Sequence, residues 1–333
     1  MREQRDFDTQ GLEQRVGNNN QWVKLRELIR WESFRSLVKV LDRTSERGGR
    51  PPYDPVKMFK VVMLGQWHSL SDVDLETALR VRLDFILFCG FGVSGDVPDS
   101  TTIQDYRSRM IEAGLLEKCM KLLNRQLENA GLKVNSGALV VDSTIIESAA
   151  RPRNVITVSD DTPPTKTTSA DPDATWTKKG QEFHYGYKEH AVVDAESGFI
   201  EDVKITTASK HDGMMLQEML KGKRGVKEAL ADKAYASRKN RKYLKKRGIR
   251  DLILRKGYRN RPLSETDVRY NTRISRRRFT VEQQFGTKKR KFDFSRASYF
   301  TEIRVQAQSY LKAMCCNLLK AVRMLAPPQH QRA

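Results

Sequence analysis

The sequence predicts an α/β protein: a mixed sheet with flanking helices, preceded by a helical N-terminal domain. Three observations carry this. Apolar residues recur at helical spacing through residues 20–131. At Gly137 the pattern changes to a short apolar run, Leu139-Val140-Val141, suited to a strand buried on both faces. From there the segments read strand, strand, strand, helix, strand, helix, strand, helix, an order that fits α/β layering. The 333 residues suffice for two domains at roughly 150 residues each.

Residues 1–40 read as an N-terminal extension and 41–131 as a helical domain suited to DNA binding or self-association, with a plain helical bundle as the equal alternative. In "YDPVKMFKVVMLGQW" Asp54 is placed to cap a helix that starts with Pro55. Ser71 offers a second helix start, with Asp74 three residues on, and Asp99 or Ser100 a third. Gly114 and Gly131 punctuate the end of this region. An α/β domain is expected over 132–325, with a tail at 326–333. Asp142 falls at the carboxyl end of its apolar run. Residues 151–183, rich in Ser, Thr, Pro and Asp, read as a long loop insertion. Within it Trp176 is either a packed anchor or a platform for a base. Strands are expected at roughly 186–194 and 199–207, with Glu196-Ser197-Gly198 at the turn. A short helix comes next, with Asp212 as its expected cap. A second apolar approach to an acid ends at Asp232. A basic helix closed by Gly248, a further strand and two helices complete the chain. The last helix carries Ala307, Leu311, Met314, Leu318, Val322 and Leu325 on one stripe.

Composition narrows the function. The net charge is +20, and Lys223 to Lys291 holds 25 Lys and Arg against six Asp and Glu. Nearly all the excess sits in that stretch. It predicts a polyanionic partner, DNA first, with a solvated surface or a ribosome-associated tail as the alternative. No run of ~18 apolar residues exists, and the N-terminus lacks an apolar signal core. Cys89, Cys119, Cys315 and Cys316 show no metal-site spacing, so reduced, buried thiols in a cytoplasmic, nucleoid-associated protein are expected. His68, His184 and His330 show no ligand spacing either.

Three acids stand out. Asp142 and Asp232 end apolar runs, where open α/β sheets place their sites. Glu282 is the one carboxylate among seven cations in "RRRFTVEQQFGTKKRK". Clustered carboxylates need cations to stay ionised, and magnesium takes hard oxygen ligands and phosphate oxygens together. Two such ions serve phosphoryl transfer. At ~100° per residue Arg278 lies about 40° from Glu282 and Lys289 about 20°, giving one face of Arg, Glu and Lys. On that helix alone, an i, i+4 ion pair on a solvated surface is the stronger explanation; taken with Asp142 and Asp232 at strand ends, the catalytic reading gains.

"VVDST", "ADKAY" and "SRRRFTVEQQFGTKK" resemble the three acidic motifs of bacterial insertion-sequence DDE transposases, specifically insertion-sequence family five and its relatives. The third motif of that branch is Tyr-x2-Arg-x3-Glu-x6-Lys. Arg278, Glu282 and Lys289 match it in spacing; Ser275 stands in the Tyr position, so the DNA contact of that tyrosine lacks its residue. "GYKEHAVVD", "ASKHD" and the N-terminal "PDSTTIQDYR" are also similar to the family, and the resemblance spans roughly residues 45–325. It implies a ribonuclease-H-like catalytic fold in which Asp142 bridges two magnesium ions (manganese can substitute), with Asp232 and Glu282 each completing one. It implies cut-and-paste chemistry on terminal inverted repeats, with paired ends and at least a homodimer on double-stranded DNA.

Further candidates are cationic. Lys188 and His190 occupy alternate positions of one strand, to contact phosphate or flank the metals; a structural role for His190 is the alternative. Arg241 and Lys245 lie on a basic helix face suited to positioning phosphates. Two rival functions share these features: a ribonuclease-H-like nuclease or resolvase without strand transfer, and a non-catalytic DNA-binding protein derived from a transposase.

Overall fold

Side-chain caps start several of the helices in the computed structural model, which describes residues 7–41, 51–93, 95–151, 155–159, 162–167 and 170–325. The expected tail at 326–333 and the first six residues of the extension lie outside the described residues. The chain divides into two units, Met1–Lys133 with Asn317–Ala333, and Val134–Cys316.

The first unit is helical: α1 (Phe7–Val16), α2 (Gln21–Leu28), α3 (Arg35–Val38), α4 (Pro55–His68), α5 (Asp72–Val81), α6 (Leu83–Cys89), α7 (Ser100–Glu112) and α8 (Leu115–Asn129). The caps are those the sequence signals. Asp54 Oδ1 accepts from the Val56 and Lys57 amides, Ser71 Oγ from Asp74 and Asp99 Oδ1 from Thr102. Gly114, with φ +61°, separates α7 from α8. Residues 7–41 share the core of the later helices. Trp22 packs on Trp67 and Phe88 with ring centroids 4.9 and 4.7 Å away, and Phe34 on Phe59 at 5.0 Å. The stretch set apart as an extension therefore buries its aromatics in the helical unit.

The second unit is built on a sheet: β1 (Ala138–Glu147), β4 (Thr175–Lys179), β5 (Glu182–Asp194), β6 (Ile200–Thr207), β7 (Glu228–Ala231) and β8 (Arg250–Ile253). A separate pair, β2 (Val155–Ser159) and β3 (Thr162–Thr167), forms an antiparallel hairpin. Its helices are α9 (Leu216–Leu220), α10 (Arg238–Lys246), α11 (Glu265–Lys291) and α12 (Glu302–Met324). From Asn317 on, α12 groups with the helical unit. In the sheet β6, β5 and β1 run antiparallel to their neighbours, and β1, β7 and β8 run parallel. This strand order, β6-β5-β1-β7-β8 with one reversed strand, is ribonuclease-H-like.

Alternation along β1 splits the core in two. Leu139 and Val141 pack with α9, α10 and Tyr235 on one face. Ile146 packs with Tyr187, Ile205, Phe294 and Val305 on the other. The α12 stripe is buried at Ala307, Leu311, Met314 and Leu318, while Leu325 is exposed. All four cysteines are free and buried, and burial pushes the Cys89, Cys119 and Cys315 thiols up to about 12. Among the described residues no helix is long and apolar enough to cross a membrane.

Two expectations are corrected. The segment 151–183 is not one loop: it holds the β2–β3 hairpin, and β4 pairs with the first residues of β5, Thr175↔Gly186 to Lys179↔Glu182. Its Ser, Thr and Lys side chains hide a strand because the backbone ladder, not apolar alternation, holds it. β1 also runs past Asp142 to Glu147, since β5 continues to pair with it after the parallel ladder ends.

Candidate active site

The parallel ladder between β1 and β7 ends at the rung Val141↔Ala231. The next residue on each strand is an aspartate, so Asp142 and Asp232 emerge side by side. Asp232 makes no capping bond with its side chain, although a short turn starts there. The third element is α11, anchored by a capping box of Ser264 and Asp267. Its buried positions include Ile274, Arg278, Val281, Phe285 and Lys288, spaced three or four apart, and this stripe lies against the sheet. Arg278 is thus carried inward. Its Nη2 donates to Asp142 Oδ2 at 2.6 Å, and its Nη1 stands 3.7 Å from Asp232 Oδ1. Glu282, four residues on, is exposed and stands at the rim of the same cleft. That cleft encloses about 550 Å³ and is lined by Asp142, Asp212, Asp232, Glu282, Lys188 and Arg278, among others.

Electrostatics sharpen the arrangement. Burial pushes the Asp142 carboxyl above its ordinary value, against the opposing pull of the Arg278 guanidinium and the Ser143 amide. One guanidinium serves two carboxylates, which a planar fork with separate Nη donors can do and an ammonium cannot do as well. Two hard-oxygen donors already converge on a single positive charge, which is the donor chemistry a divalent cation requires. Among the described residues no three His, Cys, Asp or Glu side chains stand close enough together to hold a metal ion. Glu282 shares the cleft without joining the aspartates, so the residues fit a cation in kind, and the trio is open.

The other expected residues divide. Lys188 lines the cleft; its Nζ donates to the Lys210 carbonyl at 2.8 Å and lies 3.1 Å from Asp212 Oδ1. His190 does not reach the cleft. Its ring is fully buried, Nε2 meets Thr206 Oγ1 at 3.0 Å, and burial lowers it to about 4. With no face to solvent it touches neither phosphate nor metal, so its expected DNA contact is withdrawn. Arg278, expected at phosphate, is instead the internal partner of Asp142. Lys289 donates to the Ile145 carbonyl at 3.0 Å and lines a neighbouring cleft with Lys179 and His184. Its half-buried ammonium is shifted down by burial and by the Lys179 charge. Arg241 pairs with Asp251, whereas Lys245 is exposed on α10. Ser275 lines a third cleft with Arg276, Phe279 and Glu282. Trp176 is no buried anchor: it is 52 % exposed and leans on Tyr185 at 5.3 Å.

Two features escaped the sequence. Asp212, expected to cap a helix, leaves that bond to His211, whose Nδ1 accepts from the Gly213 amide at 3.1 Å, and so brings a fourth carboxylate into the cleft. An acid before a short helix looks like a cap in any sequence, so no local signal distinguishes it. The second is a buried ion pair, Lys288 Nζ to Glu189 Oε1 at 2.6 Å, with Ser309 Oγ donating to the same oxygen. Lys288 stands beside Lys289 in a basic run, and nothing in that run marks one as interior.

Comparison with known proteins gives the frame. Residues 136–318 match the family described as Transposase DDE domain, and residues 10–109 match Transposase domain (DUF772). The chain is 44 % identical over 227 residues to the transposase for insertion sequence element IS1106 of Neisseria meningitidis serogroup B, across 67 % of this chain and 78 % of that protein. Among solved structures it is loosely similar to piggyBac transposase in a synaptic complex with hairpin DNA, with a TM-score of 0.43 and 11 % identity over 97 % of this chain and 77 % of that one. The Mos1 mariner paired-end complex with manganese matches at a TM-score of 0.22 and 13 % identity over 88 % and 93 %. A sheet with two aspartates leaving adjacent strands therefore coincides with a family profile that covers more than half of the sequence, and the chain belongs to the DDE transposases of bacterial insertion sequences, enzymes that cleave and rejoin DNA.

Proposed function

We propose that Asp142, Asp232 and Glu282 are the catalytic acids of this transposase, that they hold two magnesium ions, and that the chain acts on the terminal inverted repeats of its element as a homodimer or larger assembly at the nucleoid. The observation that carries this is the convergence of Asp142 and Asp232 on one guanidinium, in a cleft that Glu282 also lines. The Arg278, Glu282 and Lys289 spacing supports placement in the Tyr-Arg-Glu-Lys branch of insertion-sequence family five.

The cut-and-paste reaction has two steps. Water attacks the phosphorus at the element end and releases a 3′-hydroxyl. That hydroxyl then attacks a target phosphodiester, and a second 3′ oxygen departs. When bound, divalent ions supply the charge that activates the attacking oxygen and steadies the leaving one. The chain's own residues do the rest. The strand ends fix the two aspartates, Arg278 pairs with Asp142 and opposes the burial that raises its carboxyl, and Lys188 and Lys179 offer charge to phosphates entering the cleft. The exposed cations of the Lys223–Lys291 stretch steady the flanking duplex.

Asp142→Asn, Asp232→Asn and Glu282→Gln should each abolish magnesium-dependent cleavage of labelled end duplexes while end binding in a gel-shift assay persists. Cleavage at the native rate by any of the three removes that residue from the site.

A further inference from the structure

Asp212 is held in the acidic cleft by a frame that its neighbours build. It opens a short turn, Asp212–Met214, between β6 and α9. Just upstream, the Ser209 amide donates to Thr175 Oγ1 of β4 at 2.9 Å. Downstream, the buried Asn240 of α10 ties this turn to the one that follows Asp232. Its Nδ2 donates to the Gly213 carbonyl at 2.7 Å and to the Tyr235 carbonyl at 2.9 Å. The two turns meet so closely that a Cβ on Gly213 would stand 2.7 Å from the Ala234 carbonyl. Asp212 is therefore fixed relative to Asp232, as a site residue is and a loose surface acid is not.

The carboxylate so fixed meets Lys188. Asp212 Oδ1 lies 3.1 Å from Lys188 Nζ and, as a buried atom, has no other hydrogen-bond partner among the described residues. The same ammonium donates to the Lys210 carbonyl at 2.8 Å. A lysine is a point charge on a flexible stem, with three N–H donors. Two acceptors on one short segment engage two of them. The third is left for the cleft that Lys188 lines with Asp142 and Asp232. We infer that Asp212 is a positioning residue for strand cleavage: with the Lys210 carbonyl it aims the Lys188 ammonium at the scissile phosphate. The inference rests on the functional reading above and adds to it the device that turns a mobile cation into a directed one. The rival role, a further metal-binding acid, fits less well. A divalent ion on this carboxylate would meet the like charge of Lys188, already 3.1 Å from Oδ1.

Single-turnover cleavage of labelled end duplexes by saturating full-length protein tests this, with end binding followed by gel shift in the absence of magnesium. Lys188→Met slows cleavage about a hundredfold, the loss expected when a donor to the reacting phosphate is removed. Asp212→Asn keeps the size of the side chain and removes its charge. It slows cleavage about tenfold, the scale of a small misplacement, while end affinity is undiminished. In the Lys188→Met background Asp212→Asn costs nothing further, because it acts through that lysine. A phosphorothioate at the scissile position slows the wild type, and both single variants lower that sensitivity to sulphur, which a merely structural role would not do. Cleavage by Asp212→Asn at the native rate overturns the inference, as does an additive loss in the double variant. A raised magnesium requirement in Asp212→Asn makes Asp212 a metal ligand and overturns it too. If Asp212→Asn cuts natively while Asp142→Asn does not cut, only the positioning role falls; if Asp142→Asn cuts as well, the functional reading falls with it.

Discussion

His190 shows how much one buried side chain can set. It stands on β5 opposite Ser143, next to Asp142, with its ring enclosed and lowered to about 4 from 6.5. The folded protein holds it neutral. Below pH 6.5 the unfolded chain takes up a proton that the folded chain refuses until about pH 4. Stability from this group is therefore complete above 6.5 and is lost as pH falls through that window, by roughly 3 kcal/mol. Urea unfolding of the wild type should show this slope between pH 6.5 and about 4, and His190→Gln should flatten it. Arg278 teaches the complementary lesson. Its position in the motif was plain in the sequence, but its task was not. A cation near an acid in three dimensions can bind phosphate or neutralise that acid, and the choice depends on burial. Asp142 and Arg278 are 136 positions apart, so nothing local reports their 2.6 Å contact.

At the scale of elements, α11 is held to the sheet by more than apolar contact. Lys288 enters the interior to meet Glu189 of β5, and Ser309 of α12 completes the contact. Removing one partner strands the other charge. Lys288→Met should cost roughly 3–5 kcal/mol in urea unfolding, and adding Glu189→Gln should recover much of that loss. Helices were the elements most legible in the sequence, because Asp54, Ser71 and Asp99 cap by bonds to residues two or three positions away. Strands held by partners far along the chain were less so. Leu139 to Val141 announced β1, yet its continuation to Glu147 depends on β5. The strand β4, "TWTKK", exists through its pairing with Glu182–Gly186. Gly186 sits where β1, β4 and β5 meet. A Cβ there would come within 2.6 Å of the Ser148 amide and closer still to the Ile146 carbonyl, so the crossing admits only glycine.

For the whole molecule, charge decides the kind of partner and burial decides which charges meet it. The basic stretch from Lys223 to Lys291 is not a uniform coat. Arg241 is matched by Asp251, Arg277 by Glu228 and Lys288 by Glu189. Lys289 is spent on a carbonyl, and Lys245 remains exposed on α10. Measured as log affinity for duplex DNA against log salt, Lys245→Ala should lower the slope by about one, the effect of one lost phosphate contact, and Lys289→Ala should change it less. Three short motifs named Asp142, Asp232 and Glu282, which line one cleft. Asp212 and the division of labour among the lysines were not legible in this way, since both depend on which way a side chain turns once the sheet has formed.

One helix has a consequence for the life of the polypeptide. The helical unit is completed by a segment far along the chain: Asn317, on α12, donates to Asn124 of α8 at 2.8 Å across 193 positions, in a buried setting. During synthesis α8 must wait for a residue made 193 positions later before that contact can form. A message cut short anywhere before Asn317 therefore yields a product whose first unit is unfinished, and such fragments are poor candidates for lingering on transposon ends as inhibitors of the intact enzyme.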